Sequence, residues 1–185
     1  RKTWFAGENP SLSEVSNTEV NSFPSLNDME AIETLKNLSP DVVVVFGTGL
    51  LRASVIATCP NGMINLHGGD PEEYRGLDSH MWAIYHKEFE ALKTTLHHVD
   101  ISLDSGKIIS QQAIFIWPKM KLNELRRANT EVCITLIVNA LKYHKKTGFF
   151  SSSAQRKKGR MYSFMPTSLK EICVKRFEAH TSKLQ

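Results

Sequence analysis

Cysteine is scarce in this 185-residue chain: Cys59, Cys133 and Cys173 are widely spaced and odd in number. That pattern excludes a disulfide framework and a CxxC metal or redox motif, leaving buried thiols as the reading. Long apolar runs are also missing. The longest, 42–46 and 134–138, fall far short of the roughly 20 residues that cross a bilayer, so no membrane partner is expected. The first residues, Arg-Lys-Thr-Trp-Phe-Ala-Gly-Glu, lack the apolar stretch and cleavage site of a secretory signal, and a cytoplasmic location is the expectation. No internal repeat occurs, so nothing points to a repeat architecture. The net charge of +4 is modest. Positive residues do cluster at Lys142, Lys145, Lys146, Arg156, Lys157, Lys158 and Arg160, which by itself reads as a solvated face rather than a nucleic-acid surface.

What is present is ordinary globular composition, 41% hydrophobic and 23% charged. It suits one domain over 1–185, able to bury roughly 70% of the surface of its unfolded chain. Residues 1–27 show no sustained period and read as irregular lead-in. After Asn27 and Asp28, apolar residues at Met29, Ile32, Leu35 and Leu38 predict a capped amphipathic helix ending near Pro40. The valine run 41–46, closed by Gly47-Thr48-Gly49, predicts a buried parallel strand. A short helix over 51–58 and a second buried strand over 63–67 make the class α/β.

A polar loop is expected over 68–78, then a helix over 79–88. Strands over 94–99 and 107–116, joined by the turn 100–106, predict a closing hairpin. One long helix is expected over 122–144, ended by Gly148. Residues 151–159 carry no apolar face and read as a mobile loop, followed by a helix capped at Thr167 or Ser168 and running toward His180.

Polar side chains on the second apolar strand are the first chemical signal. Asn65 and His67 lie two apart, hence on one face, at the carboxyl end of a strand where open α/β sheets bind ligands. Asp104, in the turn Ser102-Leu103-Asp104-Ser105-Gly106, is alone an ordinary turn aspartate. Tyr74-Arg75-Gly76 is alone an exposed bend. His67, His97, His98 and Asp104 raise a metallohydrolase as an alternative, but the adjacent His97 and His98 point to opposite faces of a strand and cannot chelate together.

In their order these residues resemble the folate-dependent formyltransferases, the family that includes the methionyl-tRNA, glycinamide ribonucleotide and amino-sugar enzymes. The resemblance is carried by Asn65-Leu66-His67, Tyr74-Arg75-Gly76, Trp82-Ala83-Ile84, Thr95-Leu96-His97-His98-Val99 and Leu103-Asp104-Ser105-Gly106, and covers about 28–140. It implies a Rossmann-like mixed sheet flanked by helices, with parallel strands followed by a β-hairpin. A catalytic core over 28–146 is then followed by a basic loop and C-terminal helix over 147–185. By the same resemblance Asn65, His67 and Asp104 are catalytic. Gly47, Thr48, Gly49, Leu50, Leu51, Asp100 and Gly106 hold formyl-tetrahydrofolate, without a metal, and Tyr74, Arg75 and Gly76 meet the acceptor.

Two departures shape the expected substrate. The loop before Tyr74 reads Gly68-Gly69-Asp70-Pro71-Glu72-Glu73 where the family carries a Ser-Leu-Leu-Pro type stretch, and its acids are candidates to attract an ammonium. The family's first β-α-β portion has no counterpart in 1–27, which leaves a sheet edge to be covered by a homodimer or another segment. The expected acceptor is a small amine, such as an amino sugar on a nucleotide whose diphosphate could meet 156–160. A methionyl-tRNA acceptor and a non-catalytic folate-binding module are the alternatives, and nucleic acid is not the expected partner.

Overall fold

The computed structural model describes residues 19–185. Most of the expected irregular lead-in falls outside them, and the described remainder, 19–27, carries no helix or strand. Helix α1 (Met29–Leu38) buries Ala31 and Ile32 and ends at Ser39, which takes a left-handed φ of 43° and returns its N–H to Leu35 and Lys36. Asp28 stands at its start without a side-chain cap bond. Asn27, the other expected cap, accepts from Arg52 N at 2.7 Å and donates to Leu50 O at 3.0 Å.

The valine run becomes β1 (Val43–Phe46), which is not the buried strand expected, since only Val45 is buried while Val44 and Phe46 are exposed; α2 (Ala53–Ile56) and β2 (Met63–His67) follow. β1 and β2 are parallel neighbours, with Val45 beside Asn65. β4 (Lys93–His98) and β5 (Ile108–Ala113) form the expected hairpin and complete one sheet of order β1-β2-β4-β5. β4 runs antiparallel to β2, which sets His97 opposite Asn65 and Thr95 opposite His67. A register irregularity between Leu96 and His97 interrupts the β4–β5 ladder. Among the described residues β1 is an edge strand of this sheet.

Alternation divides the apolar residues between two cores. Val45 and Met63 pack with Ile32, Leu51 and Val55 of the α1–α2 layer. Ile64, Leu66 and Leu96 point the other way, into a larger core shared with α4 (Leu122–Thr147) and α5 (Thr167–Thr181). α4 contributes Leu125, Ala128, Val132, Leu136 and Ala140, a helical spacing that lays one face on the sheet. Gly148, at φ 77°, ends it in a conformation that suits glycine. Full burial of Ile64 and Leu96 is worth about 1.5–3 kcal/mol each.

Two expected loops prove to be built. Within 68–78, Tyr74–Gly76 forms β3, which pairs in parallel with β6 (Arg160–Tyr162). Helix α3 (Ser79–His86) follows β3 directly. The expected mobile loop 151–159 is instead a strap: Ser153 bridges Ile108, Arg156 pairs with Glu72, and Gly159 N–H donates to Pro71 O at 3.1 Å. It lacks an apolar face because polar bonds hold it.

Candidate active site

The carboxyl ends of β1 and β2, the turn after β4, and the starts of α3 and α4 enclose a cavity of about 1060 Å³. Asn65, His67 and Asp104 all line it, together with His97, which the motif reading quoted without giving it a role in formyl transfer. Strand pairing explains the omission, because only the β2–β4 register sets His97 across from Asn65.

Hydrogen-bond chemistry assigns the protons. His97 Nδ1 lies 2.7 Å from the His98 carbonyl, which can only accept, so Nδ1 carries the hydrogen. Its Nε2 is then free to accept the Asn65 amide at 3.2 Å. That bond orients Asn65 with a second N–H left to donate. His67 Nε2 lies 2.9 Å from the Tyr74 carbonyl and carries a hydrogen for the same reason. Its Nδ1 faces Asp104 Oδ2 at 3.5 Å.

Asp104 gathers the site. Its Oδ2 accepts the Gly76 N–H at 2.8 Å, and its Oδ1 lies 3.6 Å from His97 Nε2. Its own φ of 51° is left-handed. Burial works against the Asp104 charge, but His97 and His67, which stabilise the anion when they carry a proton, and the Gly76 amide hydrogen bond outweigh it, leaving the carboxyl below its usual range. His67 is buried, and loss of solvation lowers its pKa even though Asp104 and the Tyr74 carbonyl oppose the shift. A neutral imidazole beside a carboxylate follows, with the Nδ1 lone pair turned toward Asp104.

Gly47, Thr48, Gly49, Leu50, Leu51 and Asp100 line the same cavity. A Cβ at Gly47 or Gly49 would meet nothing within 4 Å, so these glycines leave open space, and Gly47 has a φ of 66°. Asn27 clamps this segment through Leu50 and Arg52, a role no motif announced. Gly106 is elsewhere: a Cβ there would stand 1.7 Å from the His98 carbonyl, so it serves the tightness of the turn rather than the cavity wall.

Of the residues expected to meet the acceptor, Gly76 lines the cavity and Tyr74 and Arg75 do not. The Tyr74 hydroxyl donates to Glu88 at 2.7 Å, and its ring stacks on Tyr162 at 5.3 Å. Arg75 is buried, with Nε unpartnered. The acids expected to attract an ammonium are also engaged. Glu72 takes a forked bond from Arg156, Glu73 pairs with Lys157, and Asp70 accepts from Lys93 at 2.8 Å. Arg156 and Lys157, expected to meet a diphosphate, are held by these acids. His80 was not anticipated; it lines the cavity, donates to the Lys93 carbonyl at 2.6 Å, and burial pushes it down to about 4.

Residues 8–141 match the family described as "Formyl transferase". The methionyl-tRNA formyltransferase of Clostridium tetani is 34% identical over 116 residues, covering 62% of this chain and 37% of that protein. The chain thus spans well under half the length of this curated relative. Among solved structures, the formyltransferase PseJ from Anoxybacillus kamchatkensis, in complex with UDP-4,6-dideoxy-4-formamido-L-AltNAc and tetrahydrofolate, superposes with a TM-score of 0.62. It is 19% identical, and 78% of each chain is covered. The phosphoribosylglycinamide formyltransferase from Bacillus halodurans is 26% identical with a TM-score of 0.52, over 60% of this chain and 58% of its own.

Proposed function

From the premise that this chain belongs to the formyl transferase family, we propose that it moves a formyl group from formyl-tetrahydrofolate to a primary amine. The observation that carries the reading is the meeting of Asn65, His67 and Asp104 in one cavity, from a strand end and a turn distant in sequence. Bound formyl-tetrahydrofolate supplies the formyl carbon. The apolar walls from Val45, Leu50, Leu51, Val99 and Leu103, with open backbone at Gly47 and Gly49, fit a flat ring of that kind.

The amine attacks the formyl carbon, forming a new C–N bond and leaving negative charge on the formyl oxygen. The spare Asn65 N–H donates to that oxyanion, an interaction typically worth about 3–4 kcal/mol of barrier. The attacking nitrogen must lose a proton and the departing folate nitrogen must gain one. His67 Nδ1 takes up the proton beside Asp104, whose anion stabilises the imidazolium formed, and the same nitrogen returns it as the old C–N bond breaks. Burial that keeps His67 neutral at rest keeps it ready to accept.

For the acceptor we propose a small amine such as an amino sugar on a nucleotide, whose formylated counterpart would resemble the formamido sugar nucleotide present in the PseJ complex. Methionyl-tRNA is the rival, favoured by the curated relatives. Mass spectrometry of UDP-amino sugars incubated with the protein and formyl-tetrahydrofolate should reveal a gained formyl group. Formylation confined to methionyl-tRNA would replace the acceptor and keep the reaction. Hydrogen exchange should show residues 47–51 and 100–106 protected together by reduced folate. Folate binding without turnover on any amine would identify a binding module, and absence of folate protection would defeat the pocket.

A further inference from the structure

The strap 151–159 reaches the candidate active site through one side chain. Gln155 Nε2 donates to the Asp104 carbonyl at 2.8 Å and to the Gly106 carbonyl at 2.9 Å, so both amide hydrogens are spent on the turn that carries Asp104. The strap is held on either side by bonds independent of that side chain. Ser153 exchanges backbone bonds of 2.8 and 2.9 Å with Ile108, and Arg156 N–H donates to Glu72 at 2.6 Å. Gln155 is therefore delivered to the turn by its neighbours.

The turn needs such support. Asp104 adopts a left-handed backbone that residues with a Cβ disfavour, and such conformations persist only when the surroundings hold them. Its carboxylate is where the Gly76 N–H, His67 and His97 converge, so a shift of the Asp104 backbone would disturb all three contacts together.

We propose that Gln155 is a positioning residue for formyl transfer, its two donated hydrogen bonds holding the Asp104 carboxylate in register with His67 and His97. This rests on the formyl-transfer reading given above, and the test separates the two.

Gln155→Met keeps the length of the side chain and removes both donors without adding charge; Gln155→Ala removes the side chain. The groups that act electrostatically on His67 are Asp104 from the turn, His97 from β4 and Asp70 from the loop after β2, and His80 of α3 is coupled to it. Of these Gln155 touches Asp104 alone. Loosened Asp104 favours the imidazolium less, so the His67 titration followed by NMR should move to lower pH in both variants. In a wild type that transfers formyl groups, kcat should fall about ten- to a hundredfold, as misplacement of a reacting group does, with KM for formyl-tetrahydrofolate little changed. A lowered melting temperature with an unmoved His67 titration would make Gln155 merely structural and overturn the proposal, as would unchanged kcat in both variants. If the wild type transfers no formyl group, the titration decides alone, and the functional reading falls separately.

Discussion

The Asn65 amide and the His97 imidazole, directly opposite in the β2–β4 ladder, share a hydrogen bond of 3.2 Å in which His97 Nε2 accepts. The bond makes the orientation of a candidate oxyanion donor depend on the tautomer of its neighbour. That tautomer is set in turn by the His98 carbonyl.

Asn65→Ala removes the proposed oxyanion donor. Turnover should fall about a hundred- to a thousandfold, with a much smaller change in stability, since one hydrogen bond to His97 contributes about 1 kcal/mol. Steady-state kinetics beside thermal unfolding would check it; full activity in the variant would remove Asn65 from the mechanism.

His80 should make folding stability depend on pH. Burial pushes it to about 4, below the unfolded value near 6.5, so between those values the unfolded chain binds a proton that the folded chain does not. Stability therefore falls as pH drops from about 6.5 toward 4, by roughly 3 kcal/mol for a shift of this size. Urea unfolding at pH 7 and pH 4.5 should show the loss in wild type and a smaller one in His80→Gln. An equal loss in the variant would assign the effect to other groups.

Gly106 and Gly49 should respond oppositely to alanine. At Gly106 the added methyl would collide with the His98 carbonyl, whereas at Gly49 it meets nothing within 4 Å. Gly106→Ala should cost about 1–3 kcal/mol or more, as overpacking does, while Gly49→Ala should unfold like wild type. Reduced-folate affinity would then report whether the space at Gly49 is used.

Arg156→Ala and Lys157→Ala should release the strap. Arg156 holds the buried Glu72 carboxylate, and its removal leaves that carboxylate the backbone N–H of residue 156 and the more distant charge of Lys93 among the described residues. Amides of 153–162 should exchange faster in the double variant while those of β2 and β4 stay protected. Unchanged exchange would mean that the backbone bonds of Ser153, Gly159 and β6, with Gln155, hold the strap without these ion pairs.

Much of this was legible beforehand. The boundaries of β2 match the expected strand 63–67, because a short apolar run between Gly62 and Gly68 has few alternatives. The parallel β1–β2 pair and the antiparallel β4–β5 hairpin follow similar local signals. By contrast, β3 and β6 have the bounds Tyr74–Gly76 and Arg160–Tyr162, too short for any period to declare. They are strands only because they found each other.

By itself the sequence determined the alternation that sends Ile64 and Leu66 into one core and Asn65 and His67 to the other face, since side-chain direction along a strand is a local property. It also determined the helical spacing that seats α4 on the sheet. Tertiary structure alone decided that His97 meets Asn65, that Asn27 clamps the segment after β1, and that Gln155 reaches the carbonyls beside Asp104. Each of these joins positions far apart in the chain through one or two polar bonds. Such bonds are directional and short-ranged, so their partners are chosen by strand register and the path of the strap, which no local pattern of residues encodes.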